Sequence, residues 1–140
     1  MDPATARDVD AALALPASLD SLTVARSVVE RALHETGWDP EAAGPVVLAT
    51  GEAVANAILH GSRPDAAVRL ALAVTPDRAL VRVVDQGRRG AAVPVCPATP
   101  PPPSSVHGRG LFIMRAMADR LSVRPEGGGT EVVMVFRRAA

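Results

Sequence analysis

Gly44–Gly61 reads GPVVLATGEAVANAILHG, an apolar segment with one carboxylate and one carboxamide in its middle. Wound at about 3.6 residues per turn, it puts Glu52, Asn56 and His60 on one face, with the small Ala49 and Ala53 beside them. Val47, Val54 and Ile58 project from the other side. A helix this apolar belongs in a core, where Glu and Asn cost free energy unless each finds a partner. The polar face is therefore expected to look into a cleft, and the flanking chain must supply a sheet for the apolar face.

That sheet is legible downstream. Residues 68–74, VRLALAV, alternate so that Val68, Leu70, Leu72 and Val74 share one face. Thr75-Pro76-Asp77-Arg78 is turn chemistry, and a second strand follows from Ala79 to Asp85. Val81, Val83 and Asp85 lie on one side of it, so Asp85 closes the strand while facing the same way as buried valines. Two strands joined by so short a turn are antiparallel, and their apolar face needs the helices as a second layer. Upstream, Ala11 to Leu15 is expected to form a short edge strand ended by Pro16. A helix follows from Ser18, with Leu22, Ala25, Val28, Val29, Ala32 and Leu33 inward, Ser18 or Asp20 at its start and Gly37 at its end. Asp39-Pro40 then opens the central helix, as N-cap and first helical residue.

Beyond the hairpin the pattern breaks. Between Gln86 and His107 lie Gly87, Gly90 and six prolines, including the run Pro100 to Pro103, with no periodicity. A structureless stretch of about twenty residues inside a compact domain is expected to be a functional lid or else disordered. Gly108-Arg109-Gly110 opens another helical pattern carrying Leu111, Met114, Met117, Ala118 and Leu121. A last strand runs from Glu131 to Arg137, behind the glycine-rich turn Gly127 to Thr130, which also reads as a hairpin tip. The expected organisation is a tail with a short edge strand over 1–17 and one domain over 18–140.

Composition narrows the function. The 140 residues are 48% hydrophobic and 21% charged, as in a globular domain, and fifteen basic residues balance fifteen acidic ones. A formal charge of zero leaves no electrostatic footprint for nucleic acid. Every basic residue is Arg, which removes lysine-based catalysis and a Walker loop. Cys96 is the lone cysteine, set among prolines without a His or second Cys, so it reads as incidental. Neither a secretion signal nor an apolar run of bilayer length is expected, which makes a cytoplasmic protein without a membrane partner the default.

Five features then fall in a fixed order. Glu52 and Asn56, one turn apart, suit a general base and an oxygen ligand for a hard cation such as Mg2+. As a plain pair of buried polar residues they would only need hydrogen bonds. Asp85 with Gly87 offers a carboxylate that can accept from an exocyclic amine, with glycine admitting a flat ring. Asp before Gly is also an ordinary turn. Next comes the candidate lid, then Gly108 and Gly110 ahead of a helix, where unshielded N–H groups at the positive end of the dipole can hold phosphate, although glycines before helices are mostly loop punctuation. Gly-Thr before the last strand is the fifth.

This series resembles the N, G1 and G2 boxes of the GHKL ATPases, the superfamily of gyrase, heat-shock protein 90 and histidine kinase ATPase domains, over nearly the whole chain from Ser18. EAVANAILHG and GRGLFIMRAMADRLSV look most like the bacterial anti-sigma factor serine/threonine kinases. The resemblance implies an α/β (α+β) two-layer sandwich, helices on one face of a mixed, mostly antiparallel sheet, with ATP held under a mobile lid. It implies Mg2+ on Asn56, Glu52 as base, Asp85 on the adenine amino group, and Gly87 shaping the base pocket. Gly108, Arg109, Gly110 and Leu111 would line the phosphates, and Thr130 would support the adenine side. The implied partners are a sigma factor and its STAS-type antagonist, with no direct nucleic acid contact. A homodimer is left open. Where the family commonly has Asp-x-Gly-x-Gly, this chain has DQGRRG, with Arg89 in place of the second glycine. A non-catalytic nucleotide-binding module is the alternative, ahead of a catalytic domain detached from a histidine kinase and a nucleotide-independent structural domain.

Overall fold

In the computed structural model, residues 8–61, 65–87 and 109–138 are described. The chain runs β1 (Val9–Pro16), α1 (Asp20–Glu35), α2 (Pro40–Asn56), a π turn (Ala57–Gly61), β2 (Ala67–Val74), β3 (Arg78–Val84), α3 (Arg109–Met117), β4 (Arg120–Glu126) and β5 (Gly129–Arg137). The strands form one five-stranded sheet in the order β1-β2-β3-β5-β4. Each of its ladders is antiparallel, so the sheet is antiparallel throughout the described residues rather than mixed.

The apolar alternation sets which face the helices cover. Val68, Leu70, Leu72 and Val74 of β2 are buried, as are Ala79, Val81 and Val83 of β3 and Val132, Met134 and Phe136 of β5. Against them pack Ala25, Val29 and Leu33 of α1, Val46, Ala49, Ala53 and Val54 of α2, and Leu111 and Met114 of α3. Each large side chain so buried contributes roughly 1.5–3 kcal/mol relative to exposure, the main return against chain entropy. α2 packs against both α1 and α3 and is the middle of the helical layer. By length and hydropathy Pro40–Gly61 could cross a bilayer, contrary to the expectation from sequence, but this segment is the domain's central core helix.

Local chemistry fixes the helix ends. Asp39 caps α2 by accepting from the Ala42 N–H at 2.8 Å, with Pro40 as the first helical residue. Gly37, at φ +90, ends α1 in a Schellman motif: its N–H donates to the His34 carbonyl and that of Trp38 to Leu33. The Trp38 indole then donates to the Thr75 carbonyl at 2.8 Å, tying the α1–α2 corner to the β2–β3 turn. The start of α1 differs from expectation. Leu19 is its N-cap and no side chain caps it, and the Ser21 hydroxyl inside the first turn donates back to the Pro16 carbonyl at 2.7 Å.

Two further expectations need correction. Leu121 belongs to β4 and not to the third helix, which ends at Met117; Arg120–Glu126 alternates Leu121 and Val123 inward, a period of two that two inward residues are too few to announce. β5 accordingly begins at Gly129, and Gly127-Gly128 is the tip of the β4–β5 hairpin. β1 spans eight residues rather than five and pairs with β2 along its whole length as an edge strand.

Candidate functional site

Asp85 follows β3 in the inward phase of Val81 and Val83 and is 7% exposed. Its Oδ1 accepts from the N–H groups of Gly87 (2.9 Å) and Thr130 (3.1 Å), and its own N–H donates to the Thr130 carbonyl at 3.0 Å. Among the described residues no hydrogen bond reaches Oδ2. That oxygen faces Gly61, where a side-chain carbon would collide with it. Burial pushes the Asp85 carboxyl above its ordinary value, with the two backbone donors pulling it partway back. The result is a carboxylate with one oxygen anchored and the other packed against Gly61, an approach that only glycine permits.

The walls here are main chain. Gly87 sits at φ +78, and a Cβ there would land on the Gly128 carbonyl oxygen, with the Gly129 Cα 3.0 Å away. A Cβ on Gly129 would strike the Asp85 carbonyl and come within 2.8 Å of the Gly87 nitrogen. The hairpin tip and the end of β3 therefore touch backbone to backbone, an approach only glycines permit.

The other end of the site is made of side chains. Glu52 and Asn56 are half-buried on a shared face of α2, and Asn56 is its last residue before the π turn. Such wide turns are rare and concentrate at functional sites; this one carries the chain from Asn56 to Gly61 above Asp85. Gly110 of α3 lies against Asn56, since a Cβ there would be 2.8 Å from Asn56 Nδ2 and 3.1 Å from Oδ1. Gly110 and Leu111 are buried and Arg109 is exposed at the start of α3. Gly108 and residues 88–107, which hold Arg89 and nearly all of the segment expected as a lid, lie outside the described residues. His60 is exposed in the π turn.

The structure thus brings Asp85, Gly87 and Thr130 together directly, and Asn56 with Gly110. Gly61 joins Asp85 to the end of α2, which reading it as a helix stop does not reveal. Gly128 and Gly129 belong to the turn singled out in the sequence, and they form the backbone contacts with Gly87 and Asp85 that a run of three glycines beside a strand permits. The groove of about 490 Å³ between α1 and α2, bordered by Arg26, Glu30, His34 and Trp38, contains none of these residues.

Residues 15–136 match the family model of the histidine kinase-like ATPase domain. The chain belongs to that family. A comparison with curated proteins returned no match. Among solved structures, the RsbU and RsbW domains of Rv1364c from Mycobacterium tuberculosis resemble this fold with a TM-score of 0.71 at 22% identity, over 94% of this chain. The chain spans about a third of that structure's length, 34%.

The donor set suits the family's nucleotide. A buried carboxylate with one oxygen tied to backbone N–H groups and the other without a hydrogen bond among the described residues keeps an acceptor for an amine on a flat ring. A lone carboxamide oxygen suits a hard cation that takes its other ligands from phosphates and water. Among the described residues there is no group of three His, Cys, Asp or Glu able to hold a metal alone.

Proposed function

We propose that this domain binds ATP with Mg2+ and works as an anti-sigma factor serine/threonine kinase, sequestering a sigma factor and phosphorylating a STAS-type antagonist. The observation that carries the nucleotide reading is the Asp85 cradle, with Oδ1 fixed by Gly87 and Thr130 and Oδ2 facing Gly61. Support for the regulatory class comes from the EAVANAILHG and GRGLFIMRAMADRLSV motifs and from the likeness of fold to the chain of Rv1364c that holds RsbU and RsbW domains.

In this reading Asp85 accepts from the adenine amino group, and Gly87 with Thr130 keeps the carboxylate in that orientation. Asn56 would ligate Mg2+, which when bound neutralises phosphate charge. Gly110 lets α3 approach closely enough for its first N–H groups to face anionic oxygens, and Arg109 adds positive charge there. Glu52 orients the partner's Ser hydroxyl and takes its proton as the oxygen attacks the terminal phosphorus, with ADP leaving.

The test is transfer of radiolabelled phosphate from ATP to the cognate antagonist. Glu52→Ala is expected to lower transfer by about 10²–10⁴-fold, the usual contribution of a positioned base, while ATP affinity stays near that of the wild type. Equal transfer by the two proteins removes Glu52 from the chemistry. ATP-dependent grip on the partner with no transfer by the wild type selects the non-catalytic module, which the DQGRRG departure at Arg89 favours.

A further inference from the structure

Four charged side chains lie on the sheet face away from the helices. Glu131 is directly opposite Arg124 of β4 and, paired with Val84 of β3, lies two positions along from Arg82 on the same face. Each of its carboxylate oxygens takes one arginine: Arg82 Nε donates to Oε2 and Arg124 Nε to Oε1, both at 2.5 Å. Arg82 Nη2 reaches on across β5 to Glu126, at 2.9 and 2.8 Å from its two oxygens. The Glu131 side chain is only 3% exposed, so its charge depends on these arginines, which hold its carboxyl down at about 2.

The placement matters more than the strength. Glu126 pairs with Gly129 at the neck of the β4–β5 hairpin, beyond which Gly127 and Gly128 have positive φ and no side chain with which to pack. That tip supplies the Gly128 carbonyl that meets Gly87 and leads into Thr130, whose N–H holds Asp85. Three adjacent glycines have the greatest conformational freedom of any tripeptide, so something else must fix the tip. Arg82 spans three strands to do it, linking β3 through β5 to the last residue of β4.

We propose that the ion-pair network of Arg82, Arg124, Glu126 and Glu131 is a positioning device for the base pocket, fixing the hairpin tip over the end of β3 and so setting the aim of Asp85 Oδ2. It rests on the reading of Asp85 as the adenine contact. None of the four touches the ligand in this scheme; they act through the backbone of Gly128 to Thr130, on the opposite side of the same strand. The network thereby governs discrimination at the purine 6-position, where adenine presents an amine and hypoxanthine a carbonyl.

Calorimetric titration with Mg2+–ATP and Mg2+–ITP measures that discrimination as a ratio of Kd values, in which phosphate and metal contacts cancel. The wild type is expected to favour ATP, and Asp85→Asn to lose the preference. Glu126→Gln, which takes the charge and one of the two acceptor oxygens from the tie to the tip, and Arg82→Met, which removes the tie and also takes one partner from Glu131, are expected to lower the ratio by about three- to tenfold, the scale of coupling through residues that touch no ligand. Arg31→Ala, in an exposed helical pair with Glu35, should leave it unchanged. A purely structural role would alter thermal stability and spare the ratio in the folded protein. An undiminished ratio in Glu126→Gln and Arg82→Met overturns the positioning role while leaving the base reading intact. Should Arg82→Met fail to fold, Glu126→Gln alone decides. No preference in the wild type, or preference surviving Asp85→Asn, overturns the base reading and the network's role with it.

Discussion

The Asp85 end of the site and the α2 end are built from different material. Around Asp85 the contacts are main chain to main chain: Gly87 against Gly128, Gly129 against Asp85, Thr130 donating to and accepting from the same residue. Along α2 the groups are two half-buried side chains, Glu52 and Asn56, faced across a helix contact by Gly110. Backbone cannot swing aside, whereas a carboxamide has rotamers. The first end is preformed and intolerant; the second is adjustable, and its geometry depends on where α3 sits.

Gly87→Ala breaks the comparison most sharply. The new methyl group would have to occupy the place of the Gly128 carbonyl oxygen, and a left-handed φ of +78 would be imposed on a residue with a side chain. Left-handed strain plus displacement of a strand end should cost at least about 2–4 kcal/mol of stability. Urea unfolding measures it, and a loss below about 0.5 kcal/mol would show that the tip yields, contrary to a rigid base end.

Gly110→Ala probes the softer end. Its Cβ would come 2.8 Å from Asn56 Nδ2, and the carboxamide can rotate away, so the fold should survive while the proposed Mg2+ ligand is displaced. Mg2+–ATP affinity is expected to fall by about tenfold or more, with a melting temperature within about 4 °C of the wild type. Calorimetry with and without Mg2+ separates the two contributions. A large loss of stability with unchanged affinity would mean that Gly110 serves helix packing alone.

The same contrast explains what can be read from the sequence. The helical layer, the β2–β3 hairpin and the inward phase of Asp85 are legible, because each is written in apolar periodicity of the right length. β4 is not: Leu121 continues the spacing of Leu111, Met114 and Met117, and only Val123 supports a strand, while β5 has to be in place to reveal its pairing. Glu52, Asn56 and Asp85 stand out as polar residues in apolar settings. Gly61 does not, since a glycine after a helix ordinarily marks a stop and its meaning here comes from Asp85, 24 positions on, packing against it. Arg82 and Glu131 look like ordinary outward strand residues, and their partnership is a fact of register.

Asp85→Asn gives the smallest expected change in stability, and it sharpens the comparison by separating charge from shape. Burial raises the Asp85 carboxyl above 3.8, so the folded state holds that proton more tightly than the unfolded chain does. The resulting stabilisation is full below about 3.8 and is lost as pH rises through the elevated native value, which leaves ionised Asp85 as a net cost at pH 7. Asparagine keeps an oxygen able to accept from Gly87 and Thr130 while removing the charge. The melting temperature of the variant at pH 7 should therefore equal or exceed that of the wild type, with the difference vanishing in acid. If the variant instead melts lower at pH 7, the two backbone donors outweigh the desolvation of the carboxylate. The Asp85 end would then be held together by its charge, and the oxygen proposed to accept from the amine would cost the fold nothing.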